Sequence, residues 1–582
     1  MNSPAELSDC PSTDTTHQSW KENTSFAPNL STHEIPWVRT NLKIPRSDET
    51  LFARPELPSA APLASRNCHL LRHADVNLQG RSLLELRQSA RQEILELARN
   101  YTGQLLGESD LPKPVEGLLF CSGHQPALFH PGVWVKNFAI HALAKQTQGT
   151  ALNLVIDNDT IGSRQLRVPT GNREQPASKQ IPFDDPQPAG PWEEAVVTNP
   201  ELFETFGERV VDSLKPWGID PLIDQIWPDA IAQSQKSPSL RDALTAARMK
   251  QEHRWGLSNW ELPLSQVCET ESFLWFAAAI LTRLPRFWET YNTILDEFRV
   301  VNHIRSHTRP VPALVEEDGW YEAPFWVWKA GESQRQRVMA KACSREVRLS
   351  DGQEIFARLP IDPQGDVTAA VEVLKTLPGQ GIRFRTRALT TTLFVRLCLA
   401  DLFVHGIGGA KYDEMTDRLI ARFFGLPAPG FLTMSCTVHL PLGTPFSVSA
   451  EEEQDIRHQL RDLEFNPERH LSPGVDAEVN ALMAEKQSLI AESRTATKDG
   501  SDLTERRRQS RENHERHLRF KEIREQLADH ADQPRQLLKQ ELETIHQHLH
   551  ANELLQDREF SFAIYPEEKL RLFFESQVTP AT

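Results

Sequence analysis

The sequence predicts an α/β protein with a Rossmann-like parallel-sheet core that carries insertions, and with an additional α-helical coiled-coil hairpin domain. Two observations predict the core. Short apolar strands alternate with helical patterns over residues 117–156, and the alternation resumes over residues 382–424 after a long interruption. A strand, a helix and a second strand within about 40 residues have the size of a βαβ unit, which belongs to a parallel sheet. A polar run rich in Glu, Arg and Leu, from Glu451 to Gln556, predicts the hairpin.

The chain divides into four predicted segments. Residues 1–80, rich in Ser, Thr and Pro, are expected to form an extended or partly disordered arm. Residues 81–445 form the core with helical and β-meander insertions, residues 446–556 form the helical hairpin, and residues 557–582 return to the core. The length of 582 residues therefore reflects one interrupted core with additions, and not four domains in series.

Composition and charge narrow the function classes. The 64 Lys and Arg residues against 80 Asp and Glu residues give a net charge of −16, which argues against binding to nucleic acid or to an anionic membrane surface. The N-terminus has no signal-peptide pattern and no run reaches about 18 apolar residues, so a cytoplasmic protein without a membrane span is expected. The seven cysteines lie singly, which fits a reducing compartment. Since none of them forms a C-x-x-C pair, no metal site made of cysteines is predicted.

The first half of the core has a clear order of elements. A helix is predicted from Ser82 to about Leu106, where Ser82 and Glu85 form a capping box ahead of an apolar stripe. Residues 117–159 then predict a strand, a helix over 133–146 and a second buried strand that ends in an acidic turn. This unit places the first candidate residues at the carboxyl ends of parallel strands.

The later elements are predicted as follows. Residues 165–265 predict a mostly helical insertion, and the alternating faces of residues 323–360 predict a β-meander. The remaining elements are a strand at 382–389, a helix at 390–399, a strand at 401–406, a helix at 411–424, two polar helices at about 475–497 and 502–553, and a strand-like start to the last segment. Pro534 is expected to kink the longer polar helix.

The first candidate site is the turn Ser122-Gly123-His124-Gln125 between the first strand of the βαβ unit and its helix. Backbone N–H groups at a helix N-terminus, together with the helix dipole, attract phosphate. Gly123 would let the backbone approach a ligand, His124 would donate to a phosphoryl oxygen, and Lys136 would supply charge. Nucleotidyltransferase-type Rossmann enzymes place a Gly-His dipeptide at this turn. The alternative is a glycine turn with a histidine that caps the helix.

Asp157 and Asp159 form the second candidate site, because carboxylates at the carboxyl end of a parallel strand face the ligand crevice. They would hold either a substrate amine or a magnesium ion, since both suit oxygen ligands. The alternative is an ordinary turn, in which aspartate and asparagine are very common.

The third candidate site is a glycine-rich loop between a strand and a helix. Its glycines are Gly406, Gly408 and Gly409. His405 would act as a general acid or base, because its pKa can be moved across neutrality, and Lys411 would pair with an anionic group. Arg383, Arg385 and Arg387 alternate along the strand predicted at 382–389, so one face of this strand is cationic. This face is either an anion pocket that includes Arg387 or a surface that faces solvent. The alternative for the loop is tight packing of strand against helix.

The segment S-G-H-Q-P-A-L-F-H-P-G at residues 122–132 resembles the T-G-Q-Q-x-G-L-F-x-G-P segment of the bacillithiol-biosynthesis cysteine-adding enzymes. That family has an acidic E-D-H-D-type cluster after its next strand, where residues 157–159 stand in this chain, and its G-G-P-G-E loop is similar in position to residues 406–414. The order of core, coiled coil and returning chain end is also similar, over roughly residues 115–580. The departures are His124 in place of glutamine, a displaced helix lysine and the missing P-G-E.

The resemblance implies a ligase that joins cysteine through an amide bond to the amine of a glucosaminyl-malate-like thiol precursor. For this divergent member we expect a small-molecule substrate: an amide bond forms between an amino acid and an amino-sugar-type amine, assisted by ATP or another nucleotide with Mg²⁺. The expected catalytic residues are His124, His405, Asp157 and Asp159, and the expected binding residues are Ser122, Gly123, Gln125, Lys136, Arg387, Gly406, Gly408, Gly409 and Lys411. The helical hairpin is expected to form a homodimer. The rival hypothesis is a non-catalytic nucleotide-binding protein whose coiled coil serves dimerisation or partner docking.

Overall fold

The computed structural model describes residues 37, 42–306, 308, 311–343, 345–362, 365–471, 476–495 and 503–578. The chain divides into two compact units. The first comprises the described residues up to Pro169, together with Ser178–Leu440 and the described residues from Arg558 onward. The second comprises Thr170–Ala177 and Pro441–Asp557.

A mostly parallel sheet lies at the centre of the first unit. The strands of the described chain are β1 (Thr50–Arg54), β2 (Asn77–Leu78), β3 (Arg81–Ser82), β4 (Leu119–His124), β5 (Thr150–Val155), β6 (Gln165–Gly171), β7 (Pro176–Pro182), β8 (Trp260–Pro263), β9 (Glu316–Glu317), β10 (Trp320–Lys329), β11 (Gln336–Cys343), β12 (Glu346–Ser350), β13 (Ile355–Pro360), β14 (Ile382–Thr386), β15 (Leu402–His405) and β16 (Leu432–Thr437). Six of them form the central sheet in the order β1-β16-β15-β4-β5-β8. β1 runs antiparallel to β16 and the other neighbours are parallel, which confirms the predicted α/β class.

Helices occur in both units of the described chain. They are α1 (Ala60–Arg72), α2 (Leu83–Leu106), α3 (Pro131–Thr147), α4 (Pro200–Glu204), α5 (Phe206–Leu214), α6 (Ile223–Lys236), α7 (Leu240–Arg254), α8 (Leu264–Val267), α9 (Glu271–Leu281), α10 (Leu284–Val301), α11 (Thr368–Thr376), α12 (Ala388–Phe394), α13 (Ile407–Leu419), α14 (Ala450–Phe465), α15 (Ala477–Thr495), α16 (Leu503–Asp529), α17 (Asp532–Leu555) and α18 (Glu567–Val578). The capping box at the start of α2 is confirmed, since the Ser82 side chain accepts from the Glu85 N–H and the Glu85 carboxylate accepts from the Ser82 N–H.

The connections leave the middle of the central sheet in opposite directions. β4 leads through α3 to β5 on one side, and β15 leads through α13 to β16 on the other side. β4 and β15 are parallel neighbours, paired up to Ser122 and Val404. We call the carboxyl ends of these two strands, at His124 and His405, the seam. In open sheets, ligands bind at the carboxyl ends of the strands where the strand order reverses.

β8 completes the central sheet within a region that was expected to be a mostly helical insertion. It pairs in parallel with β5, from Leu152 and Trp260 to Val155 and Pro263. The prediction missed it because four residues give no periodic signal. One of the four is Glu261, a fully buried carboxylate that accepts two hydrogen bonds from Arg248.

The second sheet of this unit confirms the predicted meander. Its order is β13-β12-β11-β10-β14, with β9 paired to β10. β14 was expected in the strand–helix alternation of the core, but it pairs antiparallel with β10. The reason is local packing: the ring of Phe384 lies 4.8 Å, centroid to centroid, from that of Phe325 on β10.

The second unit is mainly helical. α14 packs against α17 and α15 packs against α16, and Val479, Ile523 and Leu527 form a small buried cluster. The single helix expected over 502–553 is two helices, which break between Asp529 and Asp532. Pro534 produces no kink because it lies in the first turn of α17, where proline leaves no helical acceptor unpaired. The predicted coiled-coil hairpin is not confirmed.

Two terminal predictions need correction. Residues 1–36 and 38–41 of the predicted arm lie outside the described residues. Residues 42–80 are not an extended arm, since they contain β1 and α1, and the small buried residues of α1 gave too weak a helical pattern to be noticed. The last segment begins with a short turn at Phe562–Ile564 followed by α18, and not with a strand. Over the described chain, every helix is too short or too polar to cross a membrane.

Candidate functional site

The seam brings together two of the predicted catalytic residues. His124 is the last residue of β4 and His405 is the last residue of β15. Because Ser122 pairs with Val404, His405 lies at the level of Gly123, one residue from His124. Residues separated by about 280 positions in the chain thus meet where the sheet topology favours a ligand.

His405 is held by a buried carboxylate. Its Nε2 lies 2.8 Å from Oδ2 of Asp413, which is 1% exposed and stands on the second turn of α13. Nη1 of Arg396 also donates to Oδ2 of Asp413, at 2.6 Å. Burial would raise the pKa of Asp413, but the charges of Arg396 and His405 and their hydrogen bonds outweigh it and hold the pKa well below its usual range. Asp413 is therefore an anion that accepts the Nε2–H of His405 and directs Nδ1 away from itself.

The ring of His405 lies on the first turn of α13. Its centroid is 4.4 Å from that of Phe403 and 5.0 Å from that of Phe431, and these edge contacts fix the ring plane. A Cβ atom at Gly409 would come within 3.1 Å of Nδ1 of His405. Gly409 is thus required for the close approach of the helix to the imidazole.

The N-terminus of α13 is open. Its N-cap is Gly406, which supplies no side-chain acceptor, and a Cβ atom at Gly406 or Gly408 would meet nothing within 4 Å. The first N–H groups of a helix have no acceptor within the helix, and they lie here beside Nδ1 of His405. The loop therefore offers anion-binding donors next to a potential base. Lys411, on the same helix, is exposed.

The corresponding end of α3 is not open, so the first turn of this helix does not offer the free N–H groups that were expected to bind phosphate next to residues 122–125. His130 caps this helix, since its Nδ1 accepts from the Gly132 N–H at 3.1 Å. A Cβ atom at Gly132 would clash with Arg558 and Ser435, so the first turn is covered. The alternative, in which the histidine of the turn caps the helix, is wrong, because the capping residue is His130 and not His124.

His124 is a neutral, half-buried residue at the seam. Its Nδ1 lies 3.4 Å from the carbonyl oxygen of Gln125, and its ring contacts Phe129 edge-on at 5.1 Å. Burial, and secondly the charge of Lys136, lower the pKa of His124 to about 3. Because the neutral ring has one proton, which faces the carbonyl oxygen of Gln125 at Nδ1, Nε2 of His124 is an acceptor. His124 is therefore not a cationic phosphate contact at neutral pH.

Lys136 and Ser122 are buried next to the seam. Lys136 is 3% exposed, and its Nζ donates to the carbonyl oxygen of Gly123 at 2.9 Å. Burial lowers its pKa to about 8. Ser122 is fully buried and donates through Oγ to the carbonyl oxygen of Val404 at 3.2 Å, so it joins β4 to β15 and does not face a ligand.

The two aspartates after β5 have different surroundings. Asp157 is fully buried and accepts from the backbone and hydroxyl of Ser265 and from Arg241. These bonds hold α8 and Arg241 against the end of β5. The catalytic role of Asp157 stays a prediction. Asp159 has a side chain that is 46% exposed. It accepts from Nε2 of Gln125 at 2.5 Å and faces Nη1 of Arg335 at 3.4 Å.

Beyond Asp159 lies a cationic cluster that the sequence indicated only in part. Arg335 and Arg387 both lie over Trp326, with guanidinium carbons 4.9 Å and 4.1 Å from the indole centroid. Nη1 of Arg387 donates to the buried Glu322 at 2.7 Å, and Arg335 donates to the backbone of Asn158. Arg387 was predicted, whereas Arg335 and Trp326 were not. The sequence around Trp326 contains no signal of this cluster, because neither arginine lies on the strand of Trp326 and both meet it only in the folded sheet.

Other features of the first unit do not coincide with this site. A polar cavity of about 530 Å³ lies on the meander sheet, and its walls include Trp328, Gln334 and Glu354 but no predicted site residue. Within the described ranges, no group of three or more His, Cys, Asp or Glu side chains is arranged to hold a metal ion.

Comparison with known proteins does not extend these observations. No protein-family model matches the chain, and no curated protein matches it. The functional conclusion therefore depends on the residues at the seam.

Proposed function

We propose that the protein is a nucleotide-dependent ligase with a Rossmann-like core, which forms an amide bond between a carboxylate and an amine at the seam. The observation that carries this proposal is the position of the His405–Asp413 pair directly beside the open N-terminus of α13. An oriented base next to an anion-binding helix end suits a reaction that removes a proton from an amine and releases a phosphate-bearing leaving group.

The residues of the chain would divide the work as follows. A bound nucleotide supplies the phosphoryl or nucleotidyl group that activates the carboxylate. Asp413 keeps the proton of His405 on Nε2, so Nδ1 accepts the proton that the amine loses as the amide bond forms. The N–H groups at the start of α13 stabilise the negative charge that grows on the leaving phosphate.

Asp159, after β5, and the two arginines that lie over Trp326 would hold the substrates. Asp159 is suited to the ammonium group of an amino acid or to Mg²⁺, and most ligands of that metal would come from the nucleotide phosphates and water. Arg387 and Arg335 are suited to a substrate carboxylate, because each guanidinium retains N–H groups beyond its present partners. An amino acid as the carboxylate substrate and an amino-sugar-type compound as the amine remain the substrate classes of this proposal.

The nucleotide part of the proposal is tested by replacing Gly408 with glutamate. A Cβ atom at Gly408 meets nothing within 4 Å, so the fold should tolerate the substitution. The added carboxylate would occupy the anion-binding donors of α13. We expect ATP to raise the melting temperature of the wild-type protein by mass action and to leave that of Gly408→Glu unchanged.

Gly379→Glu is the matched control, because a Cβ atom at Gly379 also meets nothing within 4 Å and this residue lies outside the seam. It should respond to ATP as the wild type does. CTP and GTP belong in the same screen. If Gly408→Glu responds to a nucleotide as strongly as Gly379→Glu, the nucleotide does not bind at α13.

A second candidate function is a nucleotide-binding protein without catalysis that uses its helical unit to form a homodimer or to dock partners. The observation in its favour is the exposure of Leu518 on α16 and Leu537 on α17, at 46% and 59%. Sedimentation of the wild type and of a Leu518→Gln, Leu537→Gln variant tests it. A dimer that the double substitution dissociates supports this function for the unit, and a monomeric wild type argues against dimerisation.

A further inference from the structure

The charge of Lys136 has no negative partner among the residues that the structure describes. The residue is 3% exposed, and its one hydrogen bond goes to a neutral carbonyl, that of Gly123. Other buried cations of this unit are paired: Arg248 contacts Glu252 and Glu261, and Arg396 contacts Asp413 and Asp417. A buried charge is normally paired, because removing it from water without compensation is costly.

The ammonium group lies on the β15 side of β4. The carbonyl of His124 points toward β5, since it accepts from the Ile156 N–H at 2.9 Å. Successive carbonyls of a strand point to opposite neighbours, so the carbonyl of Gly123 points toward β15. The paired part of β4 and β15 ends one residue earlier, at Ser122 and Val404. Nζ of Lys136 therefore lies where the two strands cease to pair, at the base of the seam.

The described groups that interact electrostatically with this region do not neutralise the charge of Lys136. The charge of Lys136 acts on His124, whose pKa is lowered first by burial and then by Lys136, so His124 is neutral. The other charged or titratable groups that act on His124 are His130 and Arg248, neither of which is an anion. An apolar side chain of similar size at position 136 would avoid the cost of burial altogether. The negative partner of this buried cation must therefore be a group other than the described residues.

We infer that Lys136 is one half of an ion pair, and that the other half is a phosphate group of the ligand bound at the seam. This inference rests on the proposed function in that the phosphate is assigned to a nucleotide. Phosphate fits better than an isolated carboxylate, because its oxygens can contact the ammonium from one side and the N–H groups of α13 from the other. Lys136 thereby determines specificity, because its buried charge is compensated only when an anionic ligand is bound at the seam.

Binding of phosphate should change the protonation state of Lys136. Burial lowers the pKa of free Lys136 to about 8, so at pH 8.5 most of the free protein carries a neutral amine there. A phosphate beside Nζ favours the charged form and raises that pKa toward its ordinary value. Binding at pH 8.5 should therefore take up roughly three quarters of a proton, while His124 stays neutral and Arg248 stays charged.

Titration calorimetry at pH 8.5 in two buffers of different ionisation enthalpy measures this uptake directly, with pyrophosphate, inorganic phosphate and ATP as separate probes. Uptake with ATP supports both the inference and the nucleotide. Uptake with pyrophosphate or phosphate but no binding of ATP supports the Lys136 site and counts against the proposed function. Binding of any of these probes without proton uptake, or no binding by any of them, overturns the inference.

Lys136→Met provides the second test. It removes the uncompensated charge and keeps a chain of similar length, so the free protein should melt at the same temperature or higher, while affinity for the phosphate probe falls at least 100-fold and proton uptake disappears. Lys145→Met, an exposed position on the same helix, should bind as the wild type does. A Lys136→Met protein that retains wild-type affinity would refute the assignment.

Discussion

His405→Gln should lower kcat of the proposed ligation by about 10²- to 10⁴-fold, the usual contribution of a positioned acid or base. Glutamine retains a donor that can reach Asp413, but it has no nitrogen that accepts a proton. The carboxylate of Asp413 also stays paired with Arg396, so the fold should be little affected. Product formation from ATP, cysteine and an amino-sugar substrate, followed by mass spectrometry, measures the effect, and the affinity for ATP should change by less than threefold.

The pH profile separates a base from a structural histidine. Wild-type activity should rise with pH, because a general base accepts a proton only in its unprotonated form. That rise should be absent from the residual activity of His405→Gln. His73→Gln, at an exposed position on the first unit, is the control and should keep wild-type kinetics. Unchanged kcat in His405→Gln would exclude His405 as the base.

Arg396→Met should lower the free energy of unfolding by about 3–5 kcal/mol, the usual cost of leaving a buried charge without its partner. Arg396 is fully buried, and it donates to Asp413 at 2.6 Å and to Asp417 at 2.5 Å. The substitution leaves two neighbouring carboxylates without the cation that they share. Denaturant unfolding of the wild type and the variant at pH 7 measures the difference.

The pH dependence of this effect has a definite sign. In the wild type the pKa of Asp413 lies well below its usual range, so the ion pair stabilises the fold above the unfolded-state pKa and is lost only in strong acid. In the variant the same carboxyl can take up a proton in mild acid, so the difference in stability should shrink as the pH falls. Arg422→Met, which removes a half-exposed pair with Glu297, should cost less than about 1 kcal/mol at any pH. Equal losses for the two variants would contradict this account.

The parts of the fold that the sequence predicted are those with strong periodicity. The helix that begins after Ser82, the strands β4 and β5 and the meander all have regular apolar spacing over many residues. β8 and β1 escaped prediction because each is four or five residues long and depends on a neighbouring strand distant in the chain. α1 escaped because Ala60, Ala64 and Cys68 are small and give a weak pattern.

The candidate site could also be predicted only in part from the sequence. Glycines and histidines after apolar strands were sufficient to predict His405 and the loop that follows it. The sequence could not show that His130 caps α3, that Asp157 is used by Ser265 and Arg241, or that Asp413 orients His405. Each of these depends on a hydrogen bond whose geometry no local pattern contains. Arg335 was missed because its neighbours in the chain carry no sign of Asp159, 176 positions away.

Hydrogen exchange of the backbone amides with and without ATP tests the central proposal most directly, because it reports both binding and its location. The N–H groups of Ile407, Gly408 and Gly409 have no acceptor within the helix, so they should exchange rapidly in the free protein. We predict that ATP slows exchange in peptides that span residues 405–411 and 122–126, and leaves the helices of the second unit unchanged. Binding of ATP without protection at residues 405–411, or no protection anywhere, would contradict a nucleotide site at the seam.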